Sequence, residues 1–168
     1  MAKTNLFAWA SIGENGKATG GKKGDQTGKE VRVDNYYDFG QTWNIRFRST
    51  ARGRKAGKAC KAMAKNENIG YNQADRTSLY NECRRIGWNI NKIHLIRKCN
   101  CDCSELVTCA INFAYGKEML PSSMTTSSLP SIVSNYPKKF KRYDNALKTK
   151  KFHKGDMVGK TGHVIMNV

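Results

Sequence analysis

Acidic residues are scarce in this 168-residue chain: 13 Asp and Glu stand against 30 Lys and Arg, a formal charge of +17. So lopsided a balance says little about fold, but it makes a polyanion the expected partner: nucleic acid, an anionic membrane or an anionic cell wall. Long apolar runs are also missing. None approaches the roughly 20 residues of a membrane-spanning helix, and Leu6-Phe7-Ala8-Trp9-Ala10 is shorter than the core of about 7–15 residues in a secretory signal. No membrane insertion is expected. With only 3 Pro and 39% hydrophobic residues, the composition is not that of a disordered chain. The length suits one domain spanning 1–168, and no hinge, internal repeat or heptad run divides it.

Histidine is rare too, at three residues, whereas cysteine is not: six lie at 60, 83, 99, 101, 103 and 109. Cysteines this closely spaced poorly suit disulfide geometry. Without an export signal, free thiols in a reducing compartment are expected. The choice is then between a metal site and a catalytic thiol. Cys99, Cys101, Cys103 and Cys109 with His94 offer enough zinc ligands, but lack the usual pair of C-x₂₋₄-C knuckles. Alternating residues on an extended segment also point to opposite sides. No metal and no cofactor are expected.

Hydrophobic periodicity outlines the elements. The first 30 residues are glycine-rich and polar, a long loop between short extended pieces. Gly20-Gly21 is not followed by the spacing of a phosphate-binding loop. Residues 30–48 alternate as strands, with Trp43, Ile45 and Phe47 on one face. Helices are expected over 51–65 and 74–87, with Gly87 as a stop. A third is expected from about 101 to 114, capped by Asp102 or Ser104 and ended by Gly116. Pro121–Pro137 is Ser- and Thr-rich with room for one short helix, and Lys138–Lys151 is basic and weakly patterned. The tail reads as a turn at Lys154-Gly155-Asp156, then Met157-Val158, then a strand from Gly162 to Met166.

This pattern puts Cys103 at a helix start, where unpaired N–H groups and the helix dipole favour an anion and should lower a thiol pKa. His163, at the start of a late strand and after a glycine, is its natural partner. His94 and His153 lie in polar, basic surroundings. Tyr36, Tyr37, Phe39, Trp43 and Phe47, set among basic residues, could instead form a stacking surface for nucleic acid, although their alternation favours a place in the core. The alternative to an enzyme is therefore a basic nucleic-acid-binding or zinc-binding module.

Asp102-Cys103-Ser104-Glu105-Leu106-Val107, followed by Lys154-Gly155-Asp156-Met157-Val158 and Gly162-His163-Val164-Ile165-Met166, resembles the NlpC-type branch of the papain-like cysteine peptidases. The N-terminal run from Gly13 to Val31 is similar to phage and prophage cell-wall lysins of that group. The resemblance implies a papain-like α+β fold, with a nucleophile-bearing helix packed on an antiparallel sheet that carries the base. It further implies hydrolysis of an amide bond in peptidoglycan, with Cys103 as nucleophile and His163 as general base. Gln26 would fill the role of the oxyanion-hole glutamine, with Gly24-Asp25-Gln26 folded over the cleft. A third polar residue is implied on the strand after His163, but the sequence runs only to Val168. Asn167 on the same strand would lie roughly 13 Å away. A group from elsewhere, a Cys–His dyad, and the catalytic part of a longer lysin all remain open. The expected partners are peptidoglycan and anionic wall polymers, with no specific nucleic acid. The expected protein is a monomeric phage product made in the host cytoplasm and acting on the wall.

Overall fold

A computed structural model describes residues 5–168. Its main sheet holds six antiparallel strands: β1 (Leu6–Ala10), β2 (Val31–Asn35), β3 (Trp43–Phe47), β6 (Phe140–Arg142), β7 (Met157–Lys160) and β8 (His163–Asn167), in the order β2-β1-β8-β7-β3-β6. A separate parallel pair joins β4 (Ile69–Tyr71) to β5 (Cys99–Cys101). The helices are α1 (Thr50–Ala64), α2 (Thr77–Arg85), α3 (Cys103–Tyr115) and two short ones, α4 (Ile132–Asn135) and α5 (Asn145–Thr149). The protein is α+β, as expected.

Strand period assigns the two faces of the sheet. Ala8, Ala10, Val164 and Met166 face the main core under α1 and α3. Phe7, Trp9, Val158 and Ile165 face the other way, where Phe152 and Ala146 cover them. The weakly patterned 138–151 segment thus contains β6 and α5. Both are too short to carry a readable period and are held by contact with the sheet.

α3 is the central element: Cys103 to Ala114 are all buried. Its ends are sequence-determined. Asp102 Oδ1 accepts the Glu105 N–H at 2.7 Å, and the helix stops at Gly116, whose φ is 68°. α1 packs unusually close because it presents glycine to a backbone. A Cβ on Gly53 would stand 2.7 Å from the Lys154 carbonyl, and one on Gly155 2.3 Å from the Gly53 carbonyl. The turn between them and β7 is fixed by Arg46, buried against Asp156 with Nε to Oδ1 at 2.7 Å. This fixes the β7–β8 hairpin, and His163 with it.

β1 takes a larger role than its length suggested. It lies inside the sheet, pairing with β2 on one side and with β8 on the other, where Phe7 stands opposite Asn167. Trp43 and Phe47 are 5% and 4% exposed and belong to the core, whereas Tyr36 and Phe39 are half-buried and Tyr37 is exposed.

Candidate active site

Cys103 opens α3 directly after β5, where three backbone N–H groups favour its thiolate: its own, that of Ser104, and that of Val164 in β8. The first two are donors that helix geometry leaves free. The third belongs to the residue next to His163. The fold thus brings the two predicted site residues, 60 positions apart, onto adjoining elements. Gly162 makes this possible. Its φ of 95° serves the hairpin turn, and its N–H donates to Thr126 Oγ1 at 2.8 Å, clasping the 121–128 loop to the base of β8.

The imidazole has a partner that sequence reasoning missed. The Tyr37 hydroxyl is 2.9 Å from His163 Nε2, and the Phe39 ring meets the imidazole edge-on at a centroid distance of 5.0 Å. Trp9 packs on Tyr37 at 5.1 Å. Burial raises the Tyr37 pKa against the pull of Arg32, and the charge that a thiolate at Cys103 would carry adds to the rise. The signal in the sequence was the run Tyr36-Tyr37-Asp38-Phe39, legible as aromatic but not as addressed to a histidine. Asn167 is engaged elsewhere: its Nδ2 donates to the Leu6 carbonyl at 3.2 Å.

Electrostatics reverse one expectation. Burial, reinforced by Asp102, pushes the Cys103 thiol up to about 11, outweighing the N–H groups that favour the thiolate. Burial, with Lys160 alongside, brings His163 down to about 4. Near neutral pH the pair is therefore a thiol and a neutral imidazole, not an ion pair. Beneath them, Arg76 meets both acids of the first turn, with Nε 3.1 Å from Asp102 Oδ2 and Nη2 3.2 Å from Glu105 Oε2. The Nε contact is an ion pair out of line for a hydrogen bond. Arg76 also reaches the Met124 carbonyl, tying the 121–128 loop to the thiol end of α3. Glu105, fully buried, is driven up to about 8 by desolvation, against the pull of Arg76.

Gln26 is not where the oxyanion role needs it. Its Nε2 donates to the carbonyls of Asn66 at 2.8 Å and Ile69 at 2.7 Å, which uses both amide hydrogens. Asp25 goes with it: its backbone packs over Gly70 in β4 instead of folding across the thiol. The glycine-rich loop is thus a strap along β4. The remaining cysteines are buried free thiols, and among the described residues no group of cysteines and histidines is arranged to share a metal ion. Cys99 and Cys101 are buried in β5.

The α+β scaffold thus sets a thiol at the N-terminus of its central helix, beside the strand that begins with His163. Residues 7–168 match the family model of the endolysin-like domain, and the chain belongs to that family. No curated protein and no solved structure matches it. Family membership supports a cell-wall lytic function of the phage endolysin type. No helix among the described residues is long and apolar enough to cross a membrane.

Proposed function

We propose that the protein is a cysteine-dependent peptidoglycan hydrolase with a papain-like, NlpC-type arrangement, cutting an amide bond of the stem peptide. The observation that carries this reading is Cys103 at the start of α3, with that helix packed on the strand that begins with His163. Because the resting pair is neutral, the thiol loses its proton to the imidazole as sulfur attacks the carbonyl, instead of waiting as a preformed thiolate. Nδ1 receives that proton in the tautomer whose Nε2–H donates to the Tyr37 hydroxyl, and the 2.9 Å contact fills the orienting role left open by the sequence. The first N–H groups of α3 stabilise the oxyanion. The C–N bond breaks, His163 returns the proton to the leaving amine, and water hydrolyses the thioester to a carboxylate and free thiol.

Anionic wall polymers hold the enzyme near its substrate through its +17 charge. A cleft of about 590 Å³ lined by Arg48, Arg54, Lys141, His153 and Lys154 offers them a seat apart from the thiol. The protein is made in the host cytoplasm and acts on the wall at lysis.

The test is loss of turbidity of purified Gram-positive walls under reducing conditions, with Cys103→Ala alongside. The parent should clear them, the variant should not, and new amino termini in the digest identify the bond. Equal clearing by both would remove Cys103 from the mechanism. Wall association that persisted unchanged at about 0.5 M salt, where the Debye length is roughly 4 Å, would remove the electrostatic anchor.

A further inference from the structure

The strap between β1 and β2 gathers three of the chain's few acids. Carboxylate oxygens of Glu14, Asp25 and Glu30 lie within 4.8 Å of one another, and among the described residues no Lys, Arg or His forms an ion pair with any of them. One oxygen of each is accounted for. Glu14 Oε1 accepts the Lys22 N–H at 2.7 Å, Glu30 Oε1 accepts the Gly28 N–H at 2.8 Å, and Asp25 Oδ1 accepts from Thr27. Among the described residues the second oxygens of the two glutamates have no such partner. Glu30 is 0% exposed, and both Glu30 Oε2 and Glu14 Oε2 are buried without a hydrogen bond. Buried carboxylate oxygens are almost always satisfied, and each one left over calls for an explanation.

Two glycines keep the space open. A Cβ on Gly28 would stand 2.7 Å from Glu30 Oε1. One on Gly21 would stand 3.2 Å from Glu14 Oε2 and 2.2 Å from the Tyr71 carbonyl, so an oxygen of β4 borders the same corner. Carboxylate and carbonyl oxygens are the ligands of a hard divalent ion, and three carboxylate oxygens this close together can share one ion.

We infer that Glu14, Asp25 and Glu30 form a calcium-type cation site that cross-links the two ends of the strap. The expectation of a metal-free protein is thereby revised, at a place remote from the cysteines that first raised the question. The consequence for the rest of the molecule follows from what the strap touches. Gly24 N–H donates to the Cys99 carbonyl at 3.1 Å, and Asn72 Nδ2 to the Gly21 carbonyl at 3.1 Å. The ion therefore braces β4 and β5, and β5 leads through Asp102 into Cys103. The inference does not depend on the reading of the thiol site.

Thermal unfolding of the full chain tests it, in EDTA and then with calcium chloride or magnesium chloride added. Calcium at a hundredfold excess over its Kd should raise Tm by about 5–10 °C, with one ion per chain by titration calorimetry. Glu30→Gln and Glu14→Gln should abolish the rise while unfolding in EDTA at or above the parent Tm, because each relieves like-charge repulsion. Glu14 is half-buried, so its variant supplies the answer if Glu30→Gln does not fold. No calcium-dependent shift in the parent, or a shift kept by both variants, overturns the site. An equal response to magnesium overturns its assignment to calcium.

Discussion

Acidic side chains cluster at two places in this basic protein, and the fold treats them differently. At the start of α3, Asp102 and Glu105 close around Arg76. In the strap, Glu14, Asp25 and Glu30 close around no side-chain cation among the described residues. The first cluster is neutralised from within the chain, at the cost of desolvating three ionisable groups at once, and its remaining negative character falls on the neighbouring thiol. The second leaves its charge to be met from outside. A guanidinium fixes one geometry permanently, whereas a site without one makes local order depend on solution conditions. The thiol end of α3 is therefore built to be rigid, and the strap to be conditional.

Breaking the internal neutralisation gives the largest effect. Arg76→Met leaves two buried acids without their partner and should cost about 3–5 kcal/mol in urea unfolding, whereas Glu14→Gln in EDTA should cost nothing. A small loss for Arg76→Met would show that the two clusters are not different in kind. Next in size is the thiol. With Cys103 near 11, its alkylation by iodoacetamide should climb about tenfold per pH unit, roughly a thousandfold between pH 7 and 10. A rate already level from pH 5 to 8 would mean an ion pair with His163.

Glu105 sharpens the comparison through pH. Its folded pKa, about 8, lies above the ordinary 4.5, so the native state binds more protons than the unfolded chain between those values. Its contribution to stability is full below about 4.5 and is lost as pH rises through about 8, with a slope of at most about 1.4 kcal/mol per pH unit. Glu105→Gln should flatten that part of the stability–pH curve, and identical slopes for both proteins would contradict the assignment. The smallest effect is expected of Tyr37→Phe, which removes one hydrogen bond from the imidazole but keeps the ring against Trp9 and Phe39. A loss of about 3–10-fold in kcat with KM unchanged is expected; an unchanged kcat would leave Tyr37 as packing only.

Parts of the site were legible because their signals are local. Asp102 and Glu105 are three residues apart and meet within one helical turn, and Gly116 stands where a helix must stop. The Gly162-His163 turn and the alternation after it need only neighbouring residues. Gln26 was placed by resemblance in a role that its two backbone partners preclude, since nothing near position 26 announces Asn66 and Ile69. Tyr37 was invisible as a partner of His163 for the same reason: the two are 126 residues apart.

By itself, then, the sequence determined the charge, the α+β pattern, the capped helix that begins at Cys103 and the hairpin that carries His163. Each follows from spacing within a few residues and from the hydrophobic period of one element. Tertiary structure alone decided that β1 stands between β2 and β8, that Tyr37 meets the imidazole, that the thiol is held protonated, and that Glu14, Asp25 and Glu30 converge. These depend on pairing between distant segments and on desolvation, which is a property of everything packed around a group and is written in no single stretch of chain.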